Sequence, residues 1–337
     1  SPMNARGLFR HPIALIGYLL VVAAVAFVVA QRWNAERDAV VTRTQIAMGT
    51  VVEIRLRGMS EEEARPAMDA AFAEIRRVDT LFSTYVSGPV WRLNHAGDTV
   101  AVLPDELHAL LRRCDTLWRD SDGAFDIAIE RLVEAWGFGG DAPGIPSPDV
   151  LREARERSGW RHVTLLDSNT VRLANGVGIN FGAIAKGYGV DRAVAVLRSH
   201  GAPDALVNAG GEVRCTGGQW IVGIQHPREQ HRLLAALRSD GRAIATSGDY
   251  EQYFEANGQR YHHIFDPATG QPARGCRSVT ILAPDDMTAD ALATAVFVMG
   301  PSKGMEFLRR QQHIDGMIVD DRGRVSSTPG FDRHIQR

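Results

Sequence analysis

The chain has 337 residues, 45% of them hydrophobic, and its 38 basic residues nearly balance its 40 acidic ones. This length suffices for one large domain or two smaller ones with a sizeable core. The near-neutral charge, without a basic stripe, argues against nucleic-acid binding. The three cysteines lack metal-ligand spacing, which argues against a zinc or iron–sulfur site.

The first feature along the chain is an uncharged apolar run of 18 residues at 13–30, preceded by Arg6 and Arg10. Its length just reaches that of a membrane-spanning helix. The arginines favour a cytoplasmic N-terminus, with the bulk of the protein on the periplasmic side of the inner membrane. A cleaved signal peptide ending near Ala30 is the alternative. We favour a retained anchor because the run is long for a signal sequence.

A strand and a helix follow the anchor. Residues Met48–Arg57 alternate between apolar and polar side chains, which predicts a half-buried strand. Residues Ser60–Phe82 carry apolar side chains at helical spacing, and Ser60 with Glu63 forms a candidate capping box. Pro66 favours a somewhat later helix start.

The rest of the chain mixes helices and short strands without a regular strand–helix–strand rhythm, so an α+β fold is expected. The further predicted elements are a helix at Glu106–Asp120, a hairpin of 160–165 with 170–173, a helix at Ala185–Ser199, short strands near 205–207, 220–224, 243–246 and 279–282, and a helix at Thr288–Met299 with Thr288 as its N-cap.

The glycine-rich segment 180–191 (NFGAIAKGYGVD) is the first candidate site. Its glycines permit close backbone approach, the helix that follows has free N–H groups at its start, and Lys186 adds a positive charge. Together these features suit a diphosphate cradle. A tight strand-to-helix turn with an exposed lysine explains the same segment.

Asp290 and Thr294 are the second candidate, because a spacing of four places them on one helix face. A carboxylate and a hydroxyl, with a backbone carbonyl, are the hard oxygen ligands that magnesium prefers. Asp290 could instead be an ordinary first-turn acid that the helix dipole favours.

Three further segments are candidates for the site. In 261–270 (YHHIFDPATG), His262 and His263 are adjacent on an extended chain, so at most one of them faces a given site. The segments 122–126 and 136–139 (WGFG) could form a wall for a planar ring, or ordinary loops.

The order of these segments is far more specific than any one of them. The chain resembles the ApbE-type FAD:protein FMN transferases through motifs that cover nearly the whole predicted soluble part. The matching motifs are MGT at 48–50, FSTY at 82–85 with LN at 93–94, GAFD at 123–126, WGFG at 136–139, GAIAKGYGVD at 182–191, NAGGEV at 208–213, ATSGDYE at 245–251, YHHIFDPATG at 261–270 and ADALAT at 289–294.

The resemblance implies a T-fold-like α+β catalytic region that holds FAD and a divalent cation in a cleft. The predicted segments are a cytoplasmic stub at 1–12, an anchor at 13–30, a linker at 31–43, the catalytic domain at 44–331 and a tail at 332–337. The residues implied to hold the flavin nucleotide are Met48, Tyr85, Ala124, Phe125, Asp126, Asn180, Lys186, His263, Ile264 and Phe265. Those implied to hold the metal are the Ala183 carbonyl, Asp290 and Thr294, with Ala293 close by.

Two positions depart from the family pattern. Position 180 is commonly Asp but is Asn here, so it is uncharged. Position 293 is polar in some members but is Ala here, which leaves Asp290 as the only acid assigned to the metal.

The implied reaction is magnesium-dependent transfer of the FMN moiety of FAD to a Thr or Ser hydroxyl of a redox protein, with release of AMP. His263 is the candidate base, with Asp249 as second choice. One alternative is a magnesium-dependent FAD pyrophosphatase. The other is a non-catalytic flavin-binding assembly factor, which the single assigned acid keeps open.

Overall fold

A computed structural model describes residues 39–140, 142–202 and 204–336. The predicted cytoplasmic stub, the anchor at 13–30 and residues 31–38 of the predicted linker lie outside these ranges. Within them, no helix combines the length and the apolar character needed to cross a membrane.

The described residues form fifteen strands and eight helices. The strands are β1 (Val40–Ala47), β2 (Thr50–Arg57), β3 (Thr99–Val102), β4 (Val163–Leu165), β5 (Thr170–Leu173), β6 (Asp204–Ala209), β7 (Glu212–Thr216), β8 (Ile221–Gln225), β9 (Leu233–Arg238), β10 (Ala243–Gly248), β11 (Tyr253–Ala256), β12 (Gln259–His262), β13 (Cys276–Ala283), β14 (Asp315–Asp320) and β15 (Val325–Ser327). The helices are α1 (Glu61–Phe82), α2 (Pro89–His95), α3 (Asp105–Asp120), α4 (Glu130–Trp136), α5 (Pro148–Glu156), α6 (Ala185–Ser199), α7 (Asp286–Arg310) and α8 (Pro329–Asp332).

Eight strands form one antiparallel sheet in the order β1-β2-β6-β7-β10-β13-β14-β15. The smaller sheets are β3-β5-β4, β8-β9 and β11-β12. The α+β prediction is therefore confirmed, and β4 with β5 form the predicted hairpin.

The predicted strand at 48–57 begins at Thr50, because Met48 and Gly49 form a hairpin turn with positive φ values of 53° and 70°. Turns of this kind match the twist of the paired strands. The preceding strand β1 was not predicted. It starts at Val40, so residues 40–43 of the predicted linker belong to the sheet.

Helix α1 begins at the predicted place, with both hydrogen bonds of the Ser60–Glu63 capping box formed and Pro66 inside the helix. The predicted start of α7 is wrong. Its N-cap is Asp285, whose side chain accepts the N–H of Thr288. A kink at Gly300 then lets the helix continue to Arg310, beyond the predicted end.

Each face of the large sheet carries a layer. On one face, apolar side chains of β2 such as Ile54 pack against α1 and α6 through Phe72 and Val194, and α7 packs against β10, β13 and β14. On the other face, the β8–β9 hairpin covers β6, β7 and β10. The predicted tail joins this second layer, because Ile335 forms a bridge with Leu237.

The first turns of α6 and α7 touch each other at Gly187. A Cβ atom there would clash with the main-chain oxygen of Asp286 and lie 2.8 Å from the Cβ of Asp290. Asp191 of α6 fixes the arrangement, because its carboxylate accepts the N–H groups of Asp286 and Met287 at 3.0 Å. Only glycine at 187 allows this approach, which positions the metal-ligand candidates.

Candidate active site

A cleft of about 1500 Å³ opens beside the Met48–Gly49 turn and the starts of α6 and α7. Its volume exceeds the roughly 300–1,000 Å³ of ordinary small-ligand pockets. The predicted site residues that line it are Met48, Tyr85, Ala124, Asp126, Asn180, Ala183, Lys186, His263, Ile264, Phe265, Asp290 and Thr294. The fold thus brings together residues that lie up to 246 positions apart in the chain.

Three predicted residues do not line the cleft. Phe125 and Ala293 are buried in the main core, where apolar side chains pack best. Asp249 faces Arg228, which donates to both of its carboxylate oxygens at 2.7 Å. A carboxylate held in this way is poorly placed to accept a proton, so the structure corrects the assignment of Asp249 as a possible base.

Met48 is held at the cleft in a left-handed backbone conformation, unusual for a residue with a side chain. Its N–H donates to the Asp79 carboxylate at 2.9 Å. Its sulfur packs against Gly189, where a Cβ atom would lie only 2.8 Å away. Gly189 therefore serves protein packing, which differs from the ligand contact that the motif suggested.

Aromatic side chains form one wall of the cleft. Phe138 contacts His263 and Phe265 edge-on, with ring centroids 6.4 and 5.9 Å apart. Tyr85 is 62% exposed, and its hydroxyl lies above Gly139. Of the 136–139 segment, Phe138 therefore lines the cleft, whereas Trp136 is fully buried. Such rings can stack on a planar ligand.

Asp126 lines the cleft, but backbone hydrogen bonds hold its carboxylate. Its carboxylate accepts the N–H of Ala128 at 2.8 Å and that of Trp160 at 2.9 Å. Burial raises the pKa of this carboxyl, against the effect of the two hydrogen bonds. Asp126 therefore fixes the loop that carries Ala124.

The contacts of Asn180 explain why this position can hold an amide where the family commonly has Asp. Its amide oxygen accepts the N–H of Gly182 at 2.7 Å, and its amide nitrogen donates to Glu130 at 2.6 Å. Glu130 is only 5% exposed, and burial raises its pKa. An amide satisfies both partners at once, whereas a carboxylate would oppose the Glu130 carboxylate.

Lys186 lies in a cluster of buried carboxylates. Its ammonium is 2.9 Å from Glu212 and 3.5 Å from Glu251. Burial disfavours the ammonium, but Glu212, Glu251 and Asp290 outweigh that effect and raise its pKa. Lys186 is thus charged, and it is paired with acids, which differs from the exposed lysine that the motif alone allowed.

The same cluster contains more acidic groups than basic ones. Burial raises the pKa of Glu212 and Glu251, and it raises that of Asp290 well above its ordinary range. One Glu212 carboxylate oxygen is buried without a hydrogen-bond partner among the described residues. Three acidic groups beside one ammonium form an environment in which a divalent cation would favour the ionised carboxylates.

The predicted metal ligands fit magnesium in chemical type. Asp290 accepts the N–H of Gly187 at 3.0 Å through one oxygen, and the Thr294 hydroxyl lies 3.4 Å from that of Ser247. Within the described ranges, no group of three or more His, Cys, Asp or Glu side chains is arranged to hold a metal ion. Magnesium would therefore depend on Asp290, the Thr294 hydroxyl, the Ala183 carbonyl and oxygens of its ligand.

The two histidines face opposite ways, as the sequence predicted. His262 is buried, with Nε2 donating to the Ala273 carbonyl at 2.9 Å. His263 lines the cleft, and its Nδ1 donates to the Gln252 carbonyl at 3.2 Å. Burial, and then the charge of Lys186, lower the pKa of His263 to about 4. Its Nε2 is therefore an unprotonated acceptor at neutral pH.

Sequence reasoning missed Glu130, Glu212 and Glu251 as site residues. Glu212 and Glu251 each lie within a recognised motif, beside a Gly-Gly pair and a Gly-Asp-Tyr turn. The signal that could have identified these two residues was an acidic side chain next to a glycine-containing turn. Glu130 lies outside every motif, and only the structure places it against Asn180.

This architecture is that of solved flavin transferase structures. The ApbE protein from Thermotoga maritima superposes with a TM-score of 0.84 and 34% identity, over 89% of this chain and 100% of that one. The apo form of the flavinyl transferase ApbE from Pseudomonas stutzeri gives 0.78 and 31%, over 88% and 97%. The fold and cleft therefore define an enzyme of the flavin transferase class.

The sequence comparison identifies the family. The ApbE family model matches residues 48–318, and the chain belongs to the ApbE family. An FAD:protein FMN transferase of Treponema pallidum is 34% identical over 317 residues, which cover 86% of this chain and 87% of the relative. The resemblance drawn from the motifs is thus confirmed.

The contact between Asn180 and Glu130 can be tested with a double-mutant cycle. We expect Asn180→Asp to lower the free energy of unfolding by about 1–3 kcal/mol, because two buried carboxylates would then face each other. Glu130→Gln should be nearly neutral alone and should restore most of the loss in the double variant. Urea unfolding measures all four proteins, and additive effects would contradict the proposed contact.

The buried His262 predicts a pH-dependent stability. Burial, followed by the neighbouring His263, lowers its folded-state pKa from 6.5 to about 4. The unfolded chain thus binds more protons between these values. Stability is complete above pH 6.5 and falls as the pH drops toward 4, by about 2 kcal/mol from this group by pH 5.

Urea unfolding at pH 7, 6 and 5 measures how the free energy of unfolding changes with pH. We expect His262→Asn to reduce this pH dependence without abolishing it, because His263 has an equally lowered pKa, while substitution of the exposed His231 with Gln should leave it unchanged. An identical slope in wild type and His262→Asn would exclude His262 as the source.

Proposed function

We propose that the protein transfers the FMN moiety of FAD to a Thr or Ser hydroxyl of a redox protein, in a magnesium-dependent reaction that releases AMP. The acceptor oxygen attacks the FMN phosphorus, the bond from that phosphorus to the AMP oxygen breaks, and AMP leaves. The cluster of acidic groups around Lys186, in a cleft with aromatic residues in its wall, is the observation that supports this proposal.

The residues of the cleft have distinct roles in this reaction. Tyr85 and Phe138 offer rings against which the isoalloxazine can stack. Lys186 supplies a fixed positive charge near the pyrophosphate. Bound magnesium, held by Asp290, Thr294 and the Ala183 carbonyl, would supply further neutralisation of phosphate charge.

His263 is the proposed base. Its Nδ1–H is occupied by the Gln252 carbonyl, so Nε2 is the atom that takes the proton from the acceptor hydroxyl. The lowered pKa keeps this imidazole neutral across the physiological range. The cost is a weaker base than an unperturbed histidine, which suits a reaction that depends mainly on positioning and charge neutralisation.

We further propose that residues 13–30 anchor the protein in the inner membrane, with the catalytic domain on the periplasmic side. The support is the 18-residue apolar run and the two arginines that precede it. Alkaline carbonate extraction of host membranes should leave the protein in the pellet. Its release into the supernatant would exclude a retained anchor.

The reaction is tested with FAD, magnesium chloride and the flavin-free soluble domain of a redox protein that carries covalent FMN on threonine. Intact-mass spectrometry should show one added FMN on the acceptor, and chromatography should show an equal amount of AMP. We expect Asp290→Ala to lower the rate at least about 100-fold, because it removes the one acid proposed to hold the metal. His263→Ala should lower it by about 10²–10⁴-fold while FAD still binds.

Each alternative predicts a different product. Free FMN and AMP without acceptor labelling would identify the pyrophosphatase. FAD binding without turnover would identify the assembly factor. Full transfer by His263→Ala would remove His263 as the base, and unchanged turnover by Asp290→Ala would remove the proposed metal site.

A further inference from the structure

The cleft is larger than ordinary small-ligand pockets, and part of its wall is formed by residues without a role in the proposed flavin and metal sites. This second part is lined by consecutive residues of β8 and the following loop, 221–228, and by Val51, Glu53 and Arg55 of β2. We call it the β8 groove. It is continuous with the part of the cleft that contains His263.

The β8 strand presents its edge to this groove. Val222 and Ile224 point into the core, whereas Ile221 and Gln225 point outward, yet all of them line the cleft. Because successive side chains of a strand point to opposite faces, a cavity can contact them all only along the strand edge. Among the described strands, β8 pairs with β9 alone.

The backbone groups on this edge can be assigned. Trp220 O accepts from Ser239 N at 2.9 Å, and His226 N donates to Arg232 O at 2.9 Å. In an antiparallel pair, alternate residues bond the same neighbour. The even-numbered residues therefore bond β9, and Ile221, Gly223 and Gln225 direct their N–H and C=O groups into the groove.

The groove combines exposed apolar side chains with charges that are paired. Val51 is 59% exposed on the outer face of β2, and Ile221 is 47% exposed on β8. Arg55 pairs with Glu53 at 2.9 Å, and Arg228 pairs with Asp249 at 2.7 Å. A groove without surplus charge does not favour a polyanion, and its open strand edge matches an extended polypeptide.

We infer that the β8 groove binds an extended segment of the acceptor protein, which adds to β8 as a further antiparallel or parallel strand. This inference rests on the proposed function, since it assigns the site of the acceptor in that reaction. Main-chain hydrogen bonds to Ile221, Gly223 and Gln225 supply affinity, and apolar contacts with Val51 and Ile221 supply selectivity. Such binding aligns the segment along the cleft toward Nε2 of His263.

Gly223 offers a matched pair of variants. In both Gly223→Ala and Gly223→Pro the new Cβ meets the flexible end of Leu233, about 2.9 Å away. Only proline also removes the N–H, and an outward-facing N–H on an edge strand is not needed by the fold. Fluorescence anisotropy with the labelled, flavin-free acceptor domain measures binding without requiring transfer.

We expect Gly223→Pro to weaken acceptor binding about tenfold relative to Gly223→Ala, with FAD affinity and the thermal midpoint equal in the two. Equal acceptor affinity in the two variants would overturn the inference. If Gly223→Pro does not fold, acceptor binding is measured with Val51→Asp on the other wall, which should weaken it. Unchanged acceptor binding in that variant would also overturn it.

The result also separates this inference from the proposed function. Wild-type protein that binds the acceptor through this edge but transfers no FMN would refute the function and support the groove. Wild-type protein that transfers FMN, with the same KM for the acceptor in Gly223→Ala and Gly223→Pro, would support the function and refute the groove.

Discussion

The contact between the starts of α6 and α7 is the constraint on which the candidate site depends. The N–H of Gly187 donates to the Asp290 carboxylate at 3.0 Å, and a side chain at position 187 would prevent it. Asp191 then holds the first N–H groups of α7 from the neighbouring helix. Because both helix starts are fixed against each other, Lys186 and Asp290 share one cleft with the turn that carries Met48. A small loss of packing at this contact would separate the charge cluster from the rest of the cleft.

The close approach of α6 and α7 brings acidic side chains together. Glu212, Glu251 and Asp290 surround one ammonium, and burial raises the pKa of each carboxyl. Buried carboxylates without enough partners destabilise a folded chain, and a bound cation relieves that cost. If the site binds the proposed magnesium, it exchanges stability for cation binding, which is the usual balance in a functional site. Asn180 avoids adding to this charge, since an amide meets the Glu130 carboxylate as a donor.

Several elements followed directly from local sequence. The capping box of α1, the alternation of β2 and the opposed directions of His262 and His263 were predicted because each depends on a few neighbouring residues. The strand β9, with sequence LLAALR, was missed because leucine and alanine favour helices, and only pairing with β8 makes it extended. The edge strand β1 was missed because it contributes few side chains to the core.

The sequence by itself determined the family, through the order of short motifs, and placed Asp290 and Thr294 on one helix face. It also indicated His263 and Lys186 as residues of the cleft. Only the tertiary structure decided that Lys186 meets Glu212 and Glu251, that Asp249 is held by Arg228, and that Glu130 meets Asn180 across 50 positions. The reason is physical. Periodicity and capping report the local backbone, whereas charge neighbours are set by how helices and strands pack, and that packing brings together residues that no local pattern connects.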